Sequence, residues 1–160
     1  MTGKRIERHL RSTNVWLVAN DGGAMVRPGL AESSAWAIIV SGAIISIIDD
    51  DLATRSALAT LMRAKGFDAR AYESAEDFLD AGAQDNSRCI ITDIHMTGMS
   101  GIDLKLRLNE GHCMVPVIMI TARVEDRLHE RARDVGAFCL LRKPFKAEAL
   151  IACIERALQP

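Results

Sequence analysis

The chain has 160 residues, which is close to the size of one domain. Hydrophobic residues make up 49% and charged residues 26%, a composition that excludes a chain disordered throughout. The formal net charge is -1, so the overall charge gives no attraction to nucleic acid or membranes. The charge is uneven, because the first 40 residues hold five basic and three acidic residues and the remaining 120 hold 15 and 18.

The first 43 residues do not share the pattern of the rest. They contain the turn-like stretches 20–23 and 27–29, and their basic start is not followed by the apolar region of a signal peptide. The longest apolar run, 35–48, is shorter than the ~20 residues of a membrane span. We therefore expect a domain over 44–160 and an N-terminal extension over 1–43, which is a flexible arm, a capping appendage or upstream sequence from a mis-set start codon. We also expect no membrane association and a cytoplasmic location.

From Ile44 onward, short apolar runs alternate with amphipathic segments. Ser74 is a predicted helix cap, with Asp77 three residues later as its reciprocal acid. Pro116 falls at the start of a strand, where proline is tolerated. The predicted strands and helices, in chain order, cover 44–48, 53–65, 68–72, 74–83, 89–93, 101–109, 115–121, 123–135, 138–142 and 146–158.

Five apolar strands alternating with five helices indicate an α/β fold whose parallel sheet is covered on both faces. With right-handed crossovers, we predict a doubly wound five-stranded parallel sheet of the flavodoxin-like order 2-1-3-4-5. In such sheets the functional residues lie at the carboxyl ends of the strands.

Polar residues follow or end four of the predicted strands. Two carboxylates ~4 Å apart repel by about 4 kcal/mol at an effective dielectric of 20, so three in one place need a cation. Oxygen ligands in an open, partly hydrated site suit Mg²⁺. The strand-end residues are Asp49, Asp50 and Asp51 after the first strand, Asp93 at the end of the third, Thr121 at the end of the fourth and Lys143 after the fifth.

These residue types suit phosphoryl transfer. Asp93 can act as an oxygen nucleophile, and catalysis of this reaction consists mainly of positioning and of cancelling charge on the phosphoryl oxygens. Mg²⁺, Lys143 and Thr121 can each contact one such oxygen.

The chain resembles the receiver domain of two-component response regulators, and especially the receivers of nitrogen-fixation-type transcriptional regulators. The matching text is ISIIDDD, CIITDIHMTGMSGIDL, VPVIMITA and LLRKPF, within 44–158. The resemblance implies that Asp93 is the phospho-acceptor, and that Thr121 and Lys143 contact the phosphoryl group. It also implies that Mg²⁺ is held by Asp49, Asp50, Asp93 and the backbone carbonyl of His95, and that the Lys143–Pro144 peptide is cis.

The same resemblance implies a function and partners. A histidine kinase or phosphotransfer protein would donate the phosphoryl group, and the chain would assist its own phosphorylation and dephosphorylation without being a classical enzyme. An output protein would bind the face formed by the fourth helix, fifth strand and fifth helix, and a phosphorylation-dependent dimer is a further option. Since the chain ends at Pro160, we expect a stand-alone receiver without a DNA-binding output domain and without direct DNA binding.

The sequence departs from the family pattern at several positions. Thr97 stands where the family usually has proline, so we expect a less rigid loop after Asp93. Leu140 replaces the aromatic residue that usually changes rotamer on activation, and Phe138 is a predicted substitute on the same face of the strand. His95 and Arg123 hold positions that tune the lifetime of the phosphoryl group in this family.

Two other functions compete with this interpretation. One is a receiver-like docking module that is never phosphorylated. The other is a haloacid-dehalogenase-like phosphatase, whose motifs are imitated by Asp49, Asp51, Thr121 and Lys143, although no later strand ends in paired acids.

The four cysteines form no CxxC pair, so a zinc site is not expected. Cys89, Cys139 and Cys153 lie in apolar surroundings and are predicted to be reduced core residues.

Overall fold

The computed structural model describes residues 42–123 and 125–159, so nearly all of the predicted N-terminal extension lies outside the described residues. The strands are β1 (Ile44–Ile48), β2 (Asp68–Tyr72), β3 (Cys89–Asp93), β4 (Val117–Thr121) and β5 (Cys139–Arg142). The helices are α1 (Leu52–Ala64), α2 (Ala75–Asp80), α3 (Gly101–Glu110), α4 (Asp126–Asp134) and α5 (Ala147–Ala157), with a 3₁₀ turn at Ala83–Asp85.

The five strands form one parallel sheet in the order β2-β1-β3-β4-β5, which confirms the predicted doubly wound topology. The register aligns the carboxyl ends of neighbouring strands. Asp93 at the end of β3 pairs with Ile120, and Thr121 at the end of β4 pairs with Arg142, the last residue of β5. The polar residues that follow the strands are therefore brought to one edge of the sheet.

Each face of the sheet carries its own hydrophobic core. One core packs β-strand residues such as Ile47 and Ile120 against α1 and α5. The other packs residues such as Ile90 and Met119 against α2, α3 and α4. Because both faces are covered, the central strands are mostly apolar up to their carboxyl ends, which is why they read as nearly continuous runs.

Side chains define where three of the helices begin. Asp51, Ser74 and Ser100 precede α1, α2 and α3, and each accepts a hydrogen bond from the backbone N–H three residues later. The predicted cap at Ser74 is confirmed. The Asp51 carboxylate is therefore the N-terminal cap of α1.

Some boundaries differ from the predicted ones for local reasons. Helix α2 ends at Asp80 and not near residue 83, because Gly82 adopts a left-handed conformation with φ of 60°. Strand β4 begins at Val117, after Pro116, which has no N–H to donate to the ladder. Helix α4 begins at Asp126 and not at residue 123, since the N–H of Arg123 donates to the hydroxyl of Thr121.

Two expectations about side chains are wrong. Cys139 on β5 and Cys153 on α5 are joined by a disulfide, with Cα atoms 6.4 Å apart, although both were expected to be reduced. Their separation of 14 residues gave no pairing signal, because only the packing of α5 on β5 brings them together. Phe138 does not share a face with Leu140: it precedes β5 and packs on the α1/α5 core, whereas Leu140 is buried in the opposite core.

In the ranges 42–123 and 125–159, none of the helices has the length and apolar character needed to cross a bilayer.

Candidate functional site

Three side chains from separate strand ends meet at the carboxyl edge of the sheet. The Lys143 Nζ atom lies 2.9 Å from Oδ2 of Asp93 and 3.3 Å from Oδ2 of Asp49. Both carboxylates are buried, while the lysine side chain is 26% exposed. One ammonium group thus compensates two buried negative charges and closes the inner end of the site.

Burial disfavours the charged forms of Asp49 and Lys143, and the contacts between lysine and carboxylates favour them. Burial raises the pKa of Asp49, as does the charge of Asp93, and together they outweigh the Asp51 N–H and Lys143 contacts that lower it. Burial also opposes the charged form of Lys143, but the hydrogen bond and charge of Asp93, with those of Asp49, prevail and raise the pKa of the lysine. Lys143 is therefore a fixed cation at neutral pH.

Backbone N–H groups orient the two buried carboxylates. The N–H of Asp51 donates to Oδ1 of Asp49 at 2.9 Å, and the N–H of His95 donates to Oδ1 of Asp93 at 2.9 Å. In addition, a guanidinium N–H of Arg55 donates to the backbone carbonyl of Asp49 at 2.5 Å. In each carboxylate, one oxygen thus accepts a hydrogen bond from a loop N–H, and the other accepts one from the ammonium group of Lys143.

Asp50 and Asp51 have different surroundings from Asp49. Asp50 is exposed at the rim, where its Oδ2 accepts from both the N–H and the hydroxyl of Thr97. Asp51 accepts from the N–H of Thr54 at 2.6 Å, and this contact lowers the pKa of the exposed Asp51 carboxyl. Of the three consecutive acids, Asp51 caps the start of α1, whereas Asp49 and Asp50 border the site.

Thr121 is fully buried at the end of β4. Its hydroxyl accepts from the N–H of Arg123 at 3.1 Å and lies 3.5 Å from Nδ1 of His95. Its backbone carbonyl accepts from the N–H of Lys143 at 2.8 Å, just before the Lys143–Pro144 peptide, which is cis as predicted. The hydroxyl and the ammonium group are therefore held on neighbouring strand ends.

Gly101, the first residue of α3, packs directly beneath Asp93. A Cβ atom built on Gly101 would collide with the backbone carbonyl of Asp93 and would lie 3.1 Å from the side chain of Thr92. The close approach of α3 to the end of β3 thus requires glycine at this position.

The donor set fits an open magnesium site. Within the described part of the chain, no group of three or more Asp, Glu, His or Cys side chains is arranged to hold a metal ion by itself. Mg²⁺ usually binds one or two carboxylates and keeps several waters, so it does not need such a cage. Asp49 and Asp93, whose carboxylates share Lys143, and Asp50, exposed at the rim, are oxygen donors of the kind that Mg²⁺ takes.

Sequence reasoning identified the strand-end residues but missed three contacts that hold them or the loop after Asp93. These are the hydrogen bonds from Arg55 to Asp49, from Thr97 to Asp50 and from the N–H of Met99 to Glu76. The last two join elements that are distant in sequence, and no local pattern signals such pairs.

Comparison with known proteins identifies the family. A sequence model of the response regulator receiver domain matches residues 45–155. The chain belongs to the response regulator receiver family. The transcriptional regulatory protein FixJ of Azorhizobium caulinodans is 38% identical over 114 residues, which are 71% of this chain and 54% of that protein.

Solved structures agree with this assignment. Full-length FixJ from B. japonicum superimposes on this receiver with a TM-score of 0.69 and 33% identity, over 74% of this chain and 58% of that one. The chemotaxis protein CheY4 of Vibrio cholerae shares the fold, with a TM-score of 0.66 and 22% identity over 74% of this chain and all of that one. The chain spans about half the length of the curated relatives it matches.

Proposed function

We propose that this receiver accepts a phosphoryl group on Asp93 from the phosphohistidine of a histidine kinase or phosphotransfer protein. The observation that carries the proposal is the pairing of a buried, loop-oriented Asp93 carboxylate with Lys143, beside the Thr121 hydroxyl. The proposal keeps the cytoplasmic location expected from the sequence.

In the proposed reaction, a carboxylate oxygen of Asp93 attacks phosphorus, and the new O–P bond forms as the P–N bond of the donor breaks. The N–H of His95 orients Asp93, while Lys143 and the hydroxyl of Thr121 stabilise charge on the phosphoryl oxygens. Asp49, Asp50, Asp93 and the backbone carbonyl of His95 would hold Mg²⁺, which neutralises part of the phosphoryl charge when bound.

We further propose that phosphorylation is read by a partner protein at the surface formed by α4, β5 and α5. Lys143 directly follows β5, so a new negative charge on Asp93 competes for the ammonium group that now bridges two carboxylates. A change in that pairing shifts the populations of two conformations at the end of β5. In this way a local charge on Asp93 alters the surface that β5 shares with α4 and α5. A phosphorylation-dependent dimer would use the same surface.

The proposal is tested by incubating the protein with a small phosphodonor and Mg²⁺ and measuring incorporated phosphate. We expect about one phosphoryl group per chain, lost in Asp93→Asn and retained in Asp80→Asn, an exposed aspartate at the end of α2. A docking module that is never phosphorylated predicts no incorporation in any variant. Asp93→Asn labelled to the same extent as the parent would contradict the proposed acceptor.

A further inference from the structure

The loop after Asp93 is joined to the metal-binding edge by Thr97. Oδ2 of Asp50 accepts from the N–H of Thr97 at 2.9 Å and from its hydroxyl at 3.2 Å. These residues are 47 positions apart, on the β1–α1 and β3–α3 loops. Proline, the usual family residue here, could make neither bond, because it lacks both donors.

A second carboxylate holds the same loop from the opposite side. Oε1 of Glu76, on α2, accepts from the N–H of Met99 at 2.8 Å. Between the two contacts, Gly98 has φ of +82°, and a Cβ atom there would lie 2.7 Å from Oε1 of Glu76. Residues 97–99 are thus held between two carboxylates, and the expectation of a less rigid loop stays a prediction.

The Asp50 carboxylate is left with one oxygen available. Within the described residues, Thr97 supplies both hydrogen bonds to Oδ2, and no hydrogen bond reaches Oδ1. Asp50 is exposed, so without these bonds its side chain would sample several rotamers. Donors that orient a ligating carboxylate in this way are a recurrent feature of metal sites, where their removal lowers metal affinity.

We propose that Thr97 is a positioning residue that fixes the carboxylate of Asp50 for Mg²⁺ binding. The inference rests on the proposed function, since it takes Asp50 as a magnesium ligand. Two donors converge on one oxygen, and the other oxygen remains for the cation. This chain thereby uses side-chain and backbone donors at a position where its family usually uses a rigid proline.

The test measures Mg²⁺ dissociation constants of the unphosphorylated protein, from amide chemical shifts followed by NMR. Thr97→Val keeps the shape and the N–H but loses the hydroxyl, and we expect Mg²⁺ binding that is weaker than in the parent and tighter than in Thr97→Pro, since one of the two donors remains. Thr97→Ser keeps both donors and should bind within twofold of the parent. Thr97→Pro removes both donors, and we expect about 10-fold weaker binding.

The proline variant separates orientation from rigidity. If a rigid loop were what matters, Thr97→Pro would bind Mg²⁺ as tightly as the parent or more tightly, and the inference would be overturned. Glu76→Ala is the matched control, because it frees the other side of the loop without touching Asp50. We expect its Mg²⁺ affinity to stay within twofold of the parent. Equal weakening by Glu76→Ala and Thr97→Val would overturn the inference as well.

Asp50→Ala distinguishes this inference from the proposed function. If Asp50→Ala binds Mg²⁺ as tightly as the parent, the proposed metal site itself is wrong. If Asp50→Ala loses affinity while Thr97→Val and Thr97→Pro do not, only the positioning role is wrong. Urea unfolding in EDTA checks that all variants are folded, and Thr97→Val, which keeps the loop N–H and loses only the hydroxyl, carries the test if Thr97→Pro disrupts the loop.

Discussion

The ammonium group of Lys143 lies 2.9 Å from Oδ2 of Asp93, a contact between residues 50 positions apart in the chain. The contact joins the end of β5 to the end of β3 across the intervening strand β4. Since the same ammonium group also reaches Asp49, it compensates charge in a cluster that would otherwise repel itself. The stability of the free protein therefore depends on this lysine.

Lys143→Met should lower the free energy of unfolding by about 1–2 kcal/mol in EDTA. Breaking a fully buried pair costs roughly 3–5 kcal/mol, and the partial exposure of Lys143 reduces that cost. Added Mg²⁺ should recover part of the loss, because it supplies positive charge to the same carboxylates. Urea unfolding with and without Mg²⁺ measures both effects, with Lys65→Met as an exposed control. A Lys143→Met protein as stable as the parent in EDTA would contradict this account.

Replacing Asp49 and Asp51 by asparagine should change stability in opposite directions. The pKa of Asp49 is raised in the folded state by burial, so its charged form disfavours folding at neutral pH, and Asp49→Asn should be more stable than the parent. That gain should shrink as the pH falls toward the ordinary aspartate value of 3.8. The pKa of Asp51 is lowered by the N–H of Thr54, so Asp51→Asn should lose stability at neutral pH.

Urea midpoints between pH 3 and pH 8 would check this pair of variants. The Asp51 contribution should be present above the ordinary aspartate pKa and should be lost as the pH falls through its lower folded value. Asparagine keeps the ability to accept the N–H at both positions, so the comparison isolates the charge. A loss of stability in Asp49→Asn at neutral pH would show that the Lys143 pairing outweighs burial.

Gly101→Ala should destabilise the protein by roughly 1–3 kcal/mol, the usual cost of overpacking. Helix propensity alone predicts the opposite sign, with alanine favoured over glycine by about 1 kcal/mol. The clash with the Asp93 carbonyl decides the outcome, because the added Cβ is fixed to the backbone of α3 and the atom it meets is itself a backbone oxygen. Gly111→Ala is the matched control: a Cβ there would meet no atom closer than 3.6 Å. Thermal unfolding compares the two, and equal effects would contradict the steric argument.

The cysteines should react with an alkylating reagent in a defined order. Cys113 is partly exposed and should react in the native protein, whereas burial raises the pKa of Cys89 to about 12 and makes it inert. In the denatured protein without reductant, Cys89 should also be labelled. After reduction, Cys139 and Cys153 should be labelled as well. Mass spectrometry counts the labels, and Cys113→Ser should remove the native one. Four labels before reduction would contradict the disulfide.

Much of the fold could be predicted from the sequence, because each buried strand is a separate apolar run. Ile44–Ile48 and Cys89–Asp93 match their predicted ranges, and the acids beside them follow from the rule that parallel strands place functional groups at their carboxyl ends. Boundaries failed where single residues decide them, as at Gly82 and at the Thr121 hydroxyl.

The contacts that tune the site could not be predicted in the same way. Thr97 was recognised only as a missing proline, since its partner Asp50 is 47 residues away and no pattern links the two loops. Strand alternation predicts the wrong face for Phe138, because this residue comes just before β5 and does not follow the alternation of the strand. Pairing across loops and strand ends depends on three-dimensional packing, which periodicity does not encode.

The most direct test locates the phosphoryl group after reaction with a small phosphodonor and Mg²⁺. Fragmentation of the labelled protein by mass spectrometry should place it on Asp93, at the carboxyl end of β3, with no label on Asp49, Asp50 or Asp51. A phosphoryl group found on Asp49 would contradict the account and favour a phosphatase-like nucleophile.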